Sequence, residues 1–289
     1  MLEDLDTVPW ENLEHAYGVA SNIPARIRTI ASTRGAEQES AIDEFGNDIC
    51  HQGSAYTATV PCVPFVCEII RNQRVPQRHR LVSLLLTIAI GLDEDMLHDG
   101  TRITDYQARR QQEANDWPAT KKRPTSWGPF IWLDCYSAVE RVVPQLVDLL
   151  HDKNHLVRLH VEYLLAWFPR HRQKTLPPLR RSMKNAKRWD DLANSILCVG
   201  LLEWQASVAR TSRPFVRPLL KHFRDEVRFA SAIYLSWHEP TDRVCGTLRE
   251  LSTRDDYDQN APLPFNGYGW AGFARQQLAY VSGNALEGG

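Results

Sequence analysis

Four side chains in this sequence could carry acid–base chemistry: His51, Tyr56, Asp134 and Glu162. A histidine changes its charge near neutral pH, so His51 is suited to act as a general acid or base. No partner for His51 is visible in the sequence, so a structural role is the favoured interpretation and the acid–base role is the alternative. These four residues are the candidate catalytic residues for a reaction that moves protons.

Glu162 is the second candidate, after the loop that carries His51 and Tyr56. It lies in the middle of a predicted helix, where two corresponding segments of the chain have Leu197 and Ala232. A carboxylate that replaces apolar residues can face a groove and act on a ligand. Glu162 also follows Arg158 by four residues, which is the spacing of an ordinary ion pair on a helix surface. Of the two interpretations, the sequence favours the ion pair.

Aromatic residues are the other candidates for contact with a ligand or partner. Asp134 lies between Trp132 and Tyr136, which favours either a ligand-facing position or a helix N-cap. Trp167 and Trp237 occupy equivalent places in the repeating pattern described below, so they predict packing between helices. Three tryptophans outside that pattern, together with a glutamine beside His51, form the predicted binding set: Gln52, Trp117, Trp127 and Trp132.

A basic stretch could contact phosphate groups. Residues 170–188 carry eight Lys or Arg and no acidic residue, and Lys121-Lys122-Arg123 adds more positive charge. Such clusters are typical of nucleic-acid binding, but also of an ordinary solvated helix face. The net charge of the chain is −1, so no general attraction to nucleic acid is expected.

The sequence predicts no metal site and no cofactor. Three of the six cysteines lie close together, but their spacing does not match a usual zinc site. His151 and His155 are four residues apart, yet they straddle a predicted turn. Gly267–Gly272 matches the pattern GxGxxG, but no strand precedes it as the dinucleotide-binding fold requires.

Pairs of short helices must position these residues. In 144–168 an apolar stripe is followed by a polar turn, and then by apolar residues at offsets of 0, 4, 7, 8 and 11 from Val157, which is a helical period. Val157, Leu192 and Val227 are spaced 35 residues apart, and each follows a proline by 13 or 14 residues. A fixed period of this size is typical of stacked two-helix repeats that share one core.

The repeating segments resemble HEAT repeats. The resemblance rests on the proline, the acidic turn and Val157-Arg158, which the third copy keeps as Val227-Arg228 and the middle copy replaces with Leu192-Ala193. The chain is similar to the bacterial and fungal HEAT-like proteins that include phycobilisome-lyase-type repeats. This resemblance implies an all-α, right-handed α-α superhelix. The stretch His51-Gln52-Gly53 also resembles part of this family, which implies a turn at Gly53 and Tyr56 packed on the next repeat.

The predicted organisation is a single solenoid over residues 1–289, with an insertion at 93–127 and a flexible tail at 282–289. We expect a first short helix over 10–17, and within the insertion a helix over 103–114 followed by a loop. An insertion of this kind is either a lid or binding loop, or an excursion without a role. Ser137 and Glu140 have capping-box spacing, which predicts a helix start near Ser137 and places Pro144 in the first turns.

The first functional hypothesis is a scaffold that binds a protein partner on the concave face of the solenoid, because that is what the resemblance implies most often. The alternative is an enzyme of lyase, isomerase or cyclase type acting on a small molecule, and a further one is nucleic-acid binding or a DNA glycosylase of HEAT-like fold. The acidic N-terminus lacks a signal-peptide core, and no apolar run is long enough for a membrane span. We therefore expect a cytoplasmic protein that does not contact a membrane.

Overall fold

The structure is a computed structural model that describes residues 2–91, 102–122, 124, 126, 128–209, 211–253 and 269–286. Regular structure in these residues is almost entirely helical, which confirms the all-α class. The chain divides into two compact units. Unit 1 comprises Met1–Asp93 and Thr104–Leu149, and unit 2 comprises Glu94–Ile103 and Leu150–Gly289.

Unit 1 is built from helices around two short hairpins. Its helices are α1 (Ile23–Ser32), α2 (Gly35–Ile49), α3 (Thr59–Arg71), α4 (Arg78–Ile90), α5 (Ile103–Asn115, of which Ile103 groups with unit 2) and α6 (Pro129–Leu146). Its hairpins are β1 (Glu14–His15) with β2 (Gly18–Val19), and β3 (Cys50–His51) with β4 (Ser54–Ala55), both antiparallel. Helix α1 packs on α2, and α3 and α4 pack on α6.

The apolar spacing of α1 and α2 explains why they pair. Ile23, Ile27 and Ile30 recur at helical spacing on one face of α1 and are fully buried. Phe45 and Ile49 do the same on α2. The stretch 10–17, predicted as a helix, is instead a short 3-10 turn at Trp10–Asn12 followed by the β1–β2 hairpin, so that prediction is wrong.

Unit 2 contains the helices that carry the 35-residue spacing. They are α7 (His155–Ala166), α8 (Arg172–Asn185), α9 (Trp189–Gln205), α10 (Arg213–Val216), α11 (Asp225–Ser236), α12 (Asp242–Ser252) and α13 (Gly269–Leu286). Val157, Leu192 and Val227 fall at the third or fourth residue of α7, α9 and α11. Helix α9 packs between α7 and α11 and also contacts α8, while α13 packs on α12.

Helix α9 approaches α11 unusually closely at Gly200. A Cβ atom at this position would lie 2.6 Å from Cδ2 of Tyr234 and 3.3 Å from Cζ3 of Trp237. Both rings are buried, so neither can move aside easily. The absence of a side chain at Gly200 therefore sets the distance between the two helices.

The prediction of a helix start at Ser137 is wrong. Helix α6 begins at Pro129, after Gly128 with φ +95, and Pro144 lies in its last turn rather than its first. Proline is favoured at the first helical position and supplies a start signal eight residues earlier than the one at Ser137. The chain continues through a 3-10 segment, Val147–His151, and Asn154 caps α7 by accepting from the N–H of Leu156.

Two further predictions concern the insertion and the C-terminal region. The predicted helix over 103–114 is confirmed as α5. Helix α13 extends to Leu286, beyond the predicted start of the tail at residue 282. No helix in the described ranges is both long and apolar enough to cross a membrane.

Candidate functional site

Glu162 is a buried residue that lines a cleft in unit 2. Helix α7 carries it on the side that faces α9, and only 5% of the residue is exposed. Its Oε2 atom accepts hydrogen bonds from Nδ2 of Asn194 and from Oγ of Ser195, each at 2.8 Å. The side chain of Ser182, on α8, also hydrogen-bonds to the carboxylate. Three polar groups from two neighbouring helices thus hold this carboxyl group in place.

The surroundings of Glu162 raise the pKa of its carboxyl group into the neutral range. Burial raises the pKa of Glu162 to about 7, against hydrogen bonds from Ser195, Asn194 and Ser182 that lower it, and Asp191 raises it slightly. Near pH 7 the protonated and ionised forms are therefore both well populated. A carboxylic acid in this state can either accept or donate a proton.

The predicted ion pair between Arg158 and Glu162 is replaced by other contacts. Nη1 of Arg158 donates to the backbone carbonyl of Asp152 at 2.8 Å, and its Nη2 lies 4.0 Å from Oδ2 of Asp191. Glu162 points into the seam between α7 and α9, where Asn194 and Ser195 satisfy it. The i, i+4 spacing was compatible with an ion pair, but the packing of α9 on α7 decides the partners.

The cleft above Glu162 is large enough for a small molecule. Its volume is about 620 Å³, within the range of small-molecule sites. Four cationic side chains line it, against two carboxylates besides Glu162. The charged and titratable lining residues are His151, Asp152, Arg158, Glu162, Arg181, Lys187, Arg188 and Asp191.

The four cationic side chains of the cleft differ in whether a carboxylate of the protein already pairs with them. Arg188 donates from Nε and Nη2 to the two oxygens of Asp190, at 2.9 and 2.7 Å. Arg158 is held near Asp191. Arg181 and Lys187 are exposed, and neither forms an ion pair with a carboxylate in the part of the chain that the structure describes. The open positive charge of the cleft is therefore concentrated on these two residues.

A possible metal site next to the cleft is already occupied by an arginine. Donor atoms of His155, Asp190 and Asp191 lie within 4.8 Å of one another, and Nε2 of His155 is 3.2 Å from Oδ2 of Asp190. The guanidinium of Arg188 engages both oxygens of Asp190, so a cation there would have to displace it. This donor set fits an arginine–aspartate pair better than a metal ion.

In unit 1, His51 and Gln52 form part of a tight hairpin. Gln52 and Gly53 are the two turn residues between β3 and β4, with φ of +49 and +77. Positive φ at both central residues is the signature of a type I′ turn. Nδ1 of His51 lies 3.4 Å from the hydroxyl of Tyr17, on the neighbouring hairpin. The turn implied at Gly53 is thus present. Strand pairing places His51, and the turn places Gln52.

Neither Tyr56 nor Asp134 is a lining residue of the unit 2 cleft. The backbone N–H of Tyr56 donates to Oγ1 of Thr59 at 2.8 Å, and Tyr56 forms an isolated bridge with Ser126. Burial, with smaller contributions from Cys50 and Tyr17, raises the pKa of Tyr56.

Asp134 is exposed on the surface of α6 and lies within that helix. The helix begins five residues earlier, at Pro129, so the N-cap interpretation of Asp134 is wrong.

The predicted binding tryptophans take part in aromatic contacts within unit 1. Trp132 stacks on Tyr136 with ring centroids 5.5 Å apart, and Tyr106 meets it edge-on at 4.7 Å. Trp117 meets Phe130 edge-on at 5.9 Å. These contacts attach α5 and the segment after it to α6. Trp127 lies outside the described residues.

The packing interpretation of the repeat tryptophans agrees with the structure. Trp167, Leu202 and Trp237 are all buried, and Trp237 stacks on Trp204 with ring centroids 5.9 Å apart. They fill the interior of unit 2.

Sequence reasoning missed the polar residues that contact Glu162. Asn194 lies two residues after Leu192, and the equivalent places in α7 and α11 carry Leu159 and Phe229. A polar residue in an otherwise apolar register is the same signal that singled out Glu162. Two such exceptions in consecutive copies, read together, would have indicated a buried polar contact.

No protein-family model, curated protein or solved structure matches this chain. The indications of what the protein does therefore come from its own residues.

Proposed function

We propose that the protein binds a small molecule in the cleft of unit 2 and uses Glu162 as a general acid or base on it. The observation that carries this proposal is a buried carboxyl group that lines a cleft of about 620 Å³. Its pKa of about 7 suits it to accept and return a proton in neutral solution. Isomerisation and elimination are the reaction types for which one such group is sufficient.

Hydrogen bonding supports a defined role for Glu162. The carboxylate is fixed by Asn194 and Ser195 at 2.8 Å, so its position in the cleft is set before a ligand arrives. Pre-organised groups of this kind are what a proton transfer in an active site requires. An exposed carboxylate on a helix surface would have neither the fixed position nor the raised pKa.

The experiment compares wild-type protein with Glu162→Gln. Each is incubated with a small-molecule extract of the source cells, and mass spectrometry records which compounds are consumed and formed. We expect the wild type to convert one compound and Glu162→Gln to leave it unchanged while still binding it. Glu11→Gln, at an exposed carboxylate in unit 1, is the matched control. Conversion that is equal in wild type and Glu162→Gln would overturn the acid–base role.

The helical-repeat architecture is part of this proposal. The side-by-side packing of α7, α9 and α11 and the 35-residue spacing of their anchor residues support a HEAT-like solenoid. In such an array the polar contact between consecutive second helices lies within one repeat interface. An experimental structure of the full chain tests this, because a solenoid requires the same helix-pair geometry to recur along the chain.

A protein-binding scaffold is the second candidate function. One observation favours it: Tyr17 and Val19, on the β1–β2 hairpin, are 66% and 57% exposed. Large apolar side chains exposed together are common at protein contact sites. The test is cross-linking in cells followed by mass spectrometry, with wild type compared to Tyr17→Ser/Val19→Ser. A partner that stays cross-linked in the double variant would remove the support for this candidate.

A further inference from the structure

We infer that the ligand of the unit 2 cleft is a phosphorylated small molecule whose phosphate group is bound by Arg181 and Lys187. This inference rests on the proposed function, because it assigns the chemical class of the molecule on which Glu162 acts.

Arg181 and Lys187 differ from the arginine next to each of them in the sequence, because that arginine is paired with a buried carboxylate. Arg180 and Arg181 are adjacent on α8, but Arg180 donates to Oε1 of the buried Glu203 at 2.7 and 3.0 Å, while Arg181 lines the cleft. Lys187 and Arg188 are likewise adjacent, and Arg188 is held by Asp190 while Lys187 is not. Each adjacent pair thus contains one cation that is paired with a carboxylate and one that is not. Among the residues that the structure describes, no carboxylate forms an ion pair with Arg181 or Lys187.

A doubly charged group fits these cations better than a single carboxylate does. Arginine supplies a planar fork of N–H donors that matches a phosphate, and lysine adds a point charge. Asp152 and Asp191 also line the cleft and repel anions. An anion therefore needs contact with both Arg181 and Lys187 to bind there. A phosphate fills only a small part of 620 Å³, so the rest of the ligand has room to extend towards Glu162.

Nucleic acid is the less suitable ligand. Its backbone needs a row of accessible cations, and the cleft offers two that are not already paired. The proposed reacting group, Glu162, lines the cleft with only 5% of the residue exposed, which suits a small molecule better than a polymer.

Binding of a dianion must be coupled to the protonation of Glu162. A negative charge in the cleft favours the neutral form of a nearby carboxyl group, so binding takes up a proton. Charged and titratable groups from every neighbouring segment line the cleft around Glu162. They are His151 and Asp152 before α7, Arg158 on α7, Arg181 on α8, Lys187 and Arg188 after α8, and Asp191 on α9. The buried thiol of Cys198 is also close to Glu162.

Sulfate titration of the full chain tests the inference, because sulfate stays dianionic between pH 6 and 8. Binding is followed by calorimetry at constant ionic strength. We expect saturable binding that Arg181→Gln or Lys187→Gln each weakens about tenfold. Lys174→Gln removes an exposed charge from α8 outside the cleft and should have no comparable effect. Equal losses in all three variants, or no saturable binding, would overturn the inference.

The pH dependence separates the role of Glu162 from that of His151. Wild-type affinity for sulfate should rise as the pH falls from 8 to 6, and Glu162→Gln should bind at pH 8 as tightly as wild type does at pH 6. His151→Gln should keep most of the pH dependence. A pH dependence in Glu162→Gln that is as steep as in wild type would contradict the coupling.

Two outcomes distinguish this inference from the proposed function. Loss of conversion in Glu162→Gln without sulfate binding would leave the acid–base site standing and remove the phosphate class. Tight binding of duplex DNA that is lost in Arg181→Gln and Lys187→Gln would also overturn the small-molecule inference, in favour of a nucleic-acid ligand.

Discussion

The hydroxyl of Tyr234, on α11, donates to Oε2 of Glu203, on α9, across 2.6 Å in the interior of unit 2. Both residues are essentially inaccessible to solvent. The other oxygen of Glu203 accepts from Arg180 and from Ser212, the latter at 2.8 Å. A buried carboxylate is tolerated here because donors reach both of its oxygens.

Removal of the Tyr234 hydroxyl should destabilise unit 2. Tyr234→Phe removes the buried donor to Oε2 of Glu203. Loss of a hydrogen bond to a charged group should lower the free energy of unfolding by about 2 kcal/mol. Ser212→Ala should cost less, because Arg180 still donates to Oε1. Urea unfolding of both variants measures the difference. A larger loss in Ser212→Ala than in Tyr234→Phe would contradict this account of the network.

Alanine at Gly200 should also be destabilising. Its Cβ would lie 2.6 Å from a ring atom of Tyr234, and overpacking of a buried contact costs about 1–3 kcal/mol. Gly246, on the exposed face of α12, has nothing within 4 Å of the same added atom. Gly246→Ala should therefore stabilise the protein by up to about 1 kcal/mol through helix propensity. Thermal unfolding of the two variants should give shifts of opposite sign.

The stability of the protein should depend on pH through Glu162. The folded state binds its proton more tightly than the unfolded state, since the pKa of Glu162 rises from 4.5 to about 7 on folding. The folded state is therefore favoured at low pH, and this contribution is lost as the pH rises through the window from 4.5 to 7. The loss is on the order of 3 kcal/mol.

Glu162→Gln isolates that contribution from other titrating groups. The free energy of unfolding, measured from pH 4.5 to 8, should fall more steeply with pH in wild type than in Glu162→Gln. The difference between the two curves should level off above pH 7. Parallel curves over the whole range would show that Glu162 does not titrate in this window.

The β3–β4 turn offers a matched pair of substitutions in unit 1. Gln52 has φ +49, which a glycine adopts without cost, so Gln52→Gly should stabilise the hairpin slightly. Gly53→Ala places a Cβ at φ +77 and should cost about 1 kcal/mol. Thermal unfolding tests both variants. A loss of stability in Gln52→Gly would argue against the type I′ turn.

The sequence alone predicted the main helices of unit 2 and placed Glu162 among four candidate residues. The apolar period and the 35-residue spacing are local properties of the chain, and α7, α9 and α11 follow them. Glu162 interrupts an apolar register, but its spacing from Arg158 favoured an ion pair, and its burial is known only from the packing of α9 on α7. The prediction of a helix start at Ser137 was wrong, because the residue spacing of a capping box can also occur inside a longer helix.

Only the tertiary structure decided which residues meet. Asn194 lies 32 residues from Glu162 in the chain, and the packing of α9 on α7 brings its Nδ2 to 2.8 Å from the carboxylate. The same packing turned Glu162 away from Arg158, and aromatic packing in unit 1 engaged Trp132 and Trp117. Contacts of this kind depend on which helix faces lie together, and residue spacing within one helix does not contain that information.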